Sequence, residues 1–319
     1  MLLLTTALPS LLLPLAAGGQ GPSELLLPER NCTDMCGDVV VPYPFGIMAG
    51  CYLPGFNLTC NRSQEPPRLY LGDGTLQVMG ISLENSTVYV VGPEISIDDE
   101  FVWNGESYVA NGTWGGQEWG LSDEGPFTLS EEYNELVLVG CGINVELMII
   151  PGLWGGEEII NTCSSICSER SSRLDHECQQ LPSSRRCQKC SGIGCCQVPI
   201  PFGKVSYTVW LTTLEKSSSF FEYIFISEEG WFHPYNMSRS PSWSAIPVLL
   251  AWAIVSNVLR DDPRDGNATC PKDLGSTACH SSYSTCRNHP HGNHTASYTC
   301  SCWDGYQGNP YLPDGCRDP

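Results

Sequence analysis

A chain of 319 residues with 18 cysteines and a formal charge of −19 suits an oxidising compartment, and it is a poor match for nucleic acid or anionic lipid. The even cysteine number fits complete disulfide pairing, and the length allows two or three compact units. Charge is unevenly spread: residues 69–168 hold 16 Asp and Glu but no Lys or Arg, whereas Arg170, Arg173, Arg185, Arg186 and Lys189 crowd together. Both runs read first as solvated faces.

Residues 1–19 contain an apolar stretch from Ala7 to Ala17 and end in small residues. That is the pattern of a secretory signal peptide cleaved near residue 19. Eight Asn-x-Ser/Thr sequons, at Asn31, Asn57, Asn61, Asn85, Asn111, Asn236, Asn267 and Asn293, predict glycosylated surface loops. The first cysteine group is Cys32, Cys36, Cys51 and Cys60. Inside it, Pro42 and Pro44 fix φ and push their predecessors towards extended geometry, so Tyr43 and Phe45 sit on a stiff stretch. Exposed, these rings would stack on the apolar C–H faces of a sugar. Buried, they would fill the core of a cysteine-rich unit.

Short apolar runs between Gly and Pro then predict strands at Leu76 to Leu83, Val88 to Val91, Leu136 to Val139 and Phe220 to Ile226. From Val205 to Thr212 apolar and polar residues alternate, the period of a half-buried strand. The best helix candidate is 163–179, where Cys163 and Cys167 share an i, i+4 face, although it is short and polar. The segment 245–255 is apolar for eleven residues and contains Pro247. A membrane span needs about 20 such residues, so this one reads as a buried strand. The expected fold is mostly β and disulfide-rich. Short-stranded, sandwich-like cysteine-rich units occupy 32–139 and 140–259, and a linker at 260–269 leads to a small module at 270–316.

That last module has cysteines at 270, 279, 286, 300, 302 and 316. The single-residue gap Cys300-Ser301-Cys302, with Tyr298 before it and Gly305-Tyr306 after it, resembles an EGF-like module. Spacing alone leaves 15 pairings open. The resemblance implies Cys270 with Cys286, Cys279 with Cys300, and Cys302 with Cys316. No acidic residue adjoins Cys270, so no tight calcium site is expected there.

The first group has its own fingerprint: Cys32-Thr33-Asp34-Met35-Cys36-Gly37, then Val41-Pro42-Tyr43-Pro44-Phe45-Gly46-Ile47, Gly50-Cys51 and Phe56-Asn57-Leu58-Thr59-Cys60. Gly192-Ile193-Gly194-Cys195-Cys196-Gln197 follows, then Ile246 to Ile254, then Gly305-Tyr306-Gln307-Gly308-Asn309-Pro310-Tyr311-Leu312. Together these resemble the extracellular region of plant wall-associated receptor kinases: a galacturonan-binding domain plus an EGF-like module. The match departs at Ala251, where the family commonly has an acidic residue before the Trp. The resemblance implies an extracellular ectodomain that binds cell-wall pectin or oligogalacturonides, located at the cell wall or the outer face of the plasma membrane. Galacturonan is a polyanion, so its carboxylates need cations. Arg62 and Arg68 can pair with them bidentately, and the 170–189 cluster is the rival site. No cofactor is expected, apart from calcium bridging pectin carboxylates to acidic surfaces.

Enzyme signatures are missing from the sequence. There is no Gly-x-Ser-x-Gly, no His-Glu-x-x-His and no kinase Gly-rich loop, His-Arg-Asp or Asp-Phe-Gly. Cys187-Gln188-Lys189-Cys190 with Cys195 and Cys196 has zinc-like spacing, but an oxidising compartment favours disulfides. Two other functions compete with pectin binding. One is a structural or protein-interaction ectodomain acting through the EGF-like module. The other is a secreted decoy receptor, because the sequence stops at Cys316-Arg317-Asp318-Pro319, before the transmembrane helix and kinase that members of the family carry.

Overall fold

Antiparallel strands supply nearly all the regular structure, and the one helical piece among the described residues is a 3-10 turn at Gln117–Trp119. The computed structural model describes residues 28, 32–72, 74–92, 94–97, 102–104, 106–150, 156–166, 190, 192–214, 220–233, 245–255, 270–271, 277–289 and 297–319. The expected signal peptide, the linker 260–269 and the basic cluster from Arg170 to Lys189 lie outside them. No helix among the described residues is long and apolar enough to cross a membrane.

Two six-stranded sheets dominate. The first runs, in spatial order, Phe127–Leu129, Ile246–Trp252, Thr87–Gly92, Gln77–Ser82, Arg68–Leu71 and Leu58–Asn61. The second is built on Glu158–Ser165, Ile143–Ile149, Ser206–Thr213 and Tyr108–Gly115, with Ser96–Ile97 at its edge. A three-stranded sheet of Cys195–Pro199, Asn134–Cys141 and Phe220–Glu228 joins them. In Ser206–Thr213 burial alternates residue by residue, as the sequence predicts for a half-buried strand. Asn134–Val139 is buried throughout, because it is the central strand of its sheet and is covered on both faces.

Three features differ from, or add to, the sequence reading. The helix candidate at 163–179 is not a helix at its start: Cys163 lies in Glu158–Ser165 and pairs with Val145. Its partner Cys196 is far away in sequence, and that bridge, with the cross-strand ladder, outweighs the local i, i+4 spacing. Residues 167–179 lie outside the described residues. The position 139/140 falls inside the strand Asn134–Cys141, and Ile246–Trp252 crosses back into the first sheet, so the sheets span that line. Pro247 is tolerated because Phe127–Leu129 pairs only with Leu250–Trp252; at Pro247 the strand has one neighbour, so no N–H is missed on the open side.

Where that pairing ends, a side chain continues it. Asn134 accepts a hydrogen bond from the Leu249 N–H (3.0 Å) and donates to the carbonyls of Leu249 (2.8 Å) and Ser130 (2.7 Å). The buried amide thus stands in for a strand and ties the three-stranded sheet to the first. Asn134→Ala orphans the Leu249 N–H, at a cost of roughly 1–3 kcal/mol. The expected readout is a lower denaturant midpoint with an unchanged slope. An unchanged midpoint would show that the bridge is dispensable.

The disulfides are Cys32–Cys51, Cys36–Cys60, Cys163–Cys196, Cys190–Cys195, Cys270–Cys286, Cys279–Cys300 and Cys302–Cys316. Cys141 is bridged as well, and no cysteine among the described residues is free. The adjacent Cys195 and Cys196 pair with different partners. The last three bridges are the ones that the EGF-like resemblance implies.

The C-terminal module is docked rather than tethered. Ile254–Val255, which follows the first sheet's strand Ile246–Trp252 after one residue, pairs with Ser297–Cys302 of the module. Asn309 Nδ2 donates to the Tyr43 carbonyl (2.7 Å), and the Tyr311 ring lies 5.7 Å from that of Trp252.

Candidate functional site

The stretch Val41 to Ile47 faces inward. Phe45 is 1 % exposed and Tyr43 6 %. Phe45 meets Phe56 and Trp252 edge-on at 5.1 and 5.2 Å, with Phe127 at 6.2 Å. At Gly46 a Cβ would collide with the Cys51 carbonyl, so the turn after Phe45 closes tightly. Tyr43 supplies the carbonyl that seats Asn309. The alternative of sugar-stacking platforms is therefore corrected: both rings are covered, and the stretch is a core that supports the C-terminal module.

Arg62 and Arg68 do reach solvent, and the structure brings them together. They flank the hairpin between Leu58–Asn61 and Arg68–Leu71, in which Asn61 stands opposite Arg68. Arg68 lies within 3.5 Å of Gln77 Oε1. They are the only Lys or Arg in residues 32–92. Asn57, Asn85 and Asn111 are exposed, and Asn61 is half-buried, its side-chain oxygen accepting from the Ser63 N–H and hydroxyl. Asn31, Asn236, Asn267 and Asn293 lie outside the described residues.

A cleft of about 360 Å³ opens on the outer face of the first sheet. Its floor is the cross-strand row Thr87, Ala251 and Thr128. Glu131, Glu132, Tyr133, the loop Phe202-Gly203-Lys204 and His289 of the C-terminal module also line it. Ala251, noted above for lacking a carboxylate, lies on this floor.

The Phe202 to Lys204 loop is pinned. Tyr207 donates its hydroxyl proton to the Phe202 carbonyl and accepts from the Lys204 N–H at 2.9 Å. Gly203 N–H donates to Glu131 Oε2 (3.0 Å), and the Lys204 carbonyl accepts from Leu129 N–H (2.9 Å). A Cβ at Gly203 would stand 2.7 Å from the Leu129 carbonyl, which requires glycine there. Burial pushes the Tyr207 phenol well up, which the Lys204 N–H partly offsets.

Apart from Ala251 and the sequon residue Asn85, motif reading does not single out the residues that line this cleft. A signal exists: Val41-Pro42-Tyr43-Pro44-Phe45-Gly46 recurs as Val198-Pro199-Ile200-Pro201-Phe202-Gly203. In the first copy the Phe is buried, whereas in the second it is 51 % exposed. Among the described residues no cluster of His, Cys, Asp and Glu could hold a metal ion.

Comparison with known proteins adds the following. Residues 32–92 match the family described as wall-associated receptor kinase galacturonan-binding. The chain is 31 % identical to Wall-associated receptor kinase 2 of Arabidopsis thaliana over 309 residues, covering 91 % of this chain and 35 % of that protein. Wall-associated receptor kinase 4 of the same plant is 30 % identical, covering 90 % of this chain and 34 % of its own length. Wall-associated receptor kinase-like 10 is 27 % identical over 326 residues, covering 90 % and 39 %. The chain thus spans about a third of the length of these relatives. No solved structure matches it.

Proposed function

The chain belongs to the wall-associated receptor kinase family, and from that premise we propose that it is an extracellular module that binds cell-wall galacturonan without catalysing its turnover. The observation that carries the proposal is the placement of Arg62 and Arg68 on one short hairpin. The galacturonan-binding family matches 32–92, and within that segment the only two cations are exposed on one hairpin. Guanidinium groups suit carboxylates spaced along a polyuronide. The overall charge of −19 opposes a polyanion at long range, so binding must rest on local contacts.

The test is oligogalacturonide binding to enzymatically deglycosylated protein, with and without calcium. Arg62→Ala with Arg68→Ala should weaken binding about tenfold or more, since contacts to charged groups contribute about 1.5–3 kcal/mol each. Raising salt should weaken the wild type, with screening beyond about 8 Å at physiological ionic strength. Full affinity in the double variant would remove the arginines from the site, and a wild type blind to galacturonan would end the proposal.

A second reading has one specific observation behind it. Tyr283 and Tyr306 stack at 4.5 Å on the EGF-like module, with Trp303 edge-on to Tyr283 at 5.7 Å, and Tyr283 and Trp303 are exposed. Exposed aromatic clusters of this kind anchor protein interfaces, so this face suits an extracellular protein partner.

A further inference from the structure

We infer that the cleft between the first sheet and the Phe202 to Lys204 loop is a second saccharide subsite, which takes a uronic acid residue of the same polysaccharide; the inference rests on the galacturonan reading above.

The repeated hexapeptide makes the first argument. Two copies of Val-Pro-x-Pro-Phe-Gly carry their Phe to opposite fates. Phe45 fills an aromatic core, while Phe202 is 51 % exposed and lines the cleft. Leaving a phenyl ring in water has a cost in free energy, and a sugar ring stacked on it would cover that surface. The loop is also built to hold one shape, since Tyr207, Glu131 and Leu129 fix it through four hydrogen bonds. A backbone already fixed in one shape loses little freedom when a ligand binds.

The groups around the ring include one cation and several hydroxyls that a uronate could use. Among the described residues Lys204 is the one Lys or Arg lining the cleft, beside Glu131 and Glu132, so the sugar carboxylate would be taken at the Lys204 end. Thr87, Thr128 and Ser130 bring hydroxyls for the ring oxygens, and Glu131 can accept from a sugar hydroxyl. His289 comes from the EGF-like module, so the site is complete only when that module is docked.

The sheet also aligns this cleft with the arginine pair. Leu69, Val78, Val90 and Val248 point to the core across four paired strands, as do Val88, Leu250 and Leu129. Arg68, Thr87, Ala251 and Thr128 therefore share the opposite face. Arg68 and Thr128 are four strand spacings apart, about 19 Å at ~4.8 Å each. One extended oligosaccharide lying across the strands would reach both.

The experiment compares trigalacturonate and long polygalacturonate on deglycosylated wild type, Phe202→Ala, Lys204→Gln and the Arg62→Ala/Arg68→Ala protein. A neutral galactan oligomer serves as control. Both cleft substitutions leave the loop's backbone bonds in place, and thermal melting verifies folding. Each should cut trigalacturonate affinity at least about tenfold, and Lys204→Gln should not change galactan binding. If the wild type and the cleft variants bind the uronides equally well, the subsite is overturned while the galacturonan reading stands. If galactan binds as well as trigalacturonate, the acidic-sugar assignment is overturned. If the wild type binds neither uronide, the galacturonan reading falls and the subsite with it.

Discussion

Replacing Trp252 by alanine is expected to remove about 3–5 kcal/mol of folding stability and to lower the thermal midpoint by on the order of 10 °C. The indole is 0 % exposed and sits where three parts of the chain meet. Phe45 and Phe56 approach it edge-on at 5.2 and 5.5 Å, and Tyr311 lies at 5.7 Å. None of these rings can collapse into the vacated space. The bridges Cys32–Cys51 and Cys36–Cys60 restrain Phe45 and Phe56, and Cys302–Cys316 encloses Tyr311. The loss should also reach the C-terminal module, whose apolar seat is that ring, so amide exchange in 297–319 should accelerate. Trp252→Phe is the informative contrast. The indole N–H has no hydrogen-bond partner among the described residues, so phenylalanine keeps the edge-on packing and removes an orphaned donor. Its loss should be well under half that of alanine. Equal losses in thermal melts would show that the aromatic contacts are not what the residue contributes.

The same cluster explains how far the sequence could be read. Val205 to Thr212 announces itself because one strand with one wet face leaves a period of two in the sequence. The EGF-like bridges were legible only through the resemblance to that module, since the spacing of six cysteines by itself leaves 15 pairings open. Cys163 misled because its spacing to Cys167 fits a helix, while the pairing with Val145 and Cys196 that decides its geometry is non-local. The direction of Tyr43 and Phe45 was open for a similar reason. Two prolines make the stretch stiff, but the Phe45 ring is covered by Trp252 and Phe56, whose positions are set elsewhere in the chain. The cleft was least legible of all. Its floor exists only through the register that aligns Thr87, Ala251 and Thr128, and its wall comes from a loop and a module elsewhere in the chain. Arg62 and Arg68 are the opposite case, since a short hairpin joins them and nearness in sequence is nearness in space.

Stability is also expected to fall steeply in alkali, beginning near the ordinary phenol value. Burial pushes the Tyr207 and Tyr311 hydroxyls far above 10.0. Backbone N–H groups of Lys204 and Cys300 offset part of this, while Glu131 near Tyr207 and Tyr298 near Tyr311 add to it. A raised phenol pKa means that the folded protein keeps a proton that the unfolded chain gives up. The stabilisation is therefore complete below pH 10 and drains away as pH climbs towards the folded-state values. Each retained proton contributes a slope of about 1.4 kcal/mol per pH unit, so Tyr207 and Tyr311 together give about 2.7. Tyr43, which burial and Tyr298 push up to about 12, and Tyr298 itself act in the same direction. Denaturant midpoints measured at successive pH values above 10 should fall continuously. Tyrosinate absorbance should show its final step together with the loss of tertiary signal, because these phenols ionise on unfolding. Tyr311→Phe should make the decline shallower by about one proton's slope. If stability stays level from pH 10 to about 12, or the buried phenols ionise while the tertiary signal persists, the core does not exclude water around them as the structure requires.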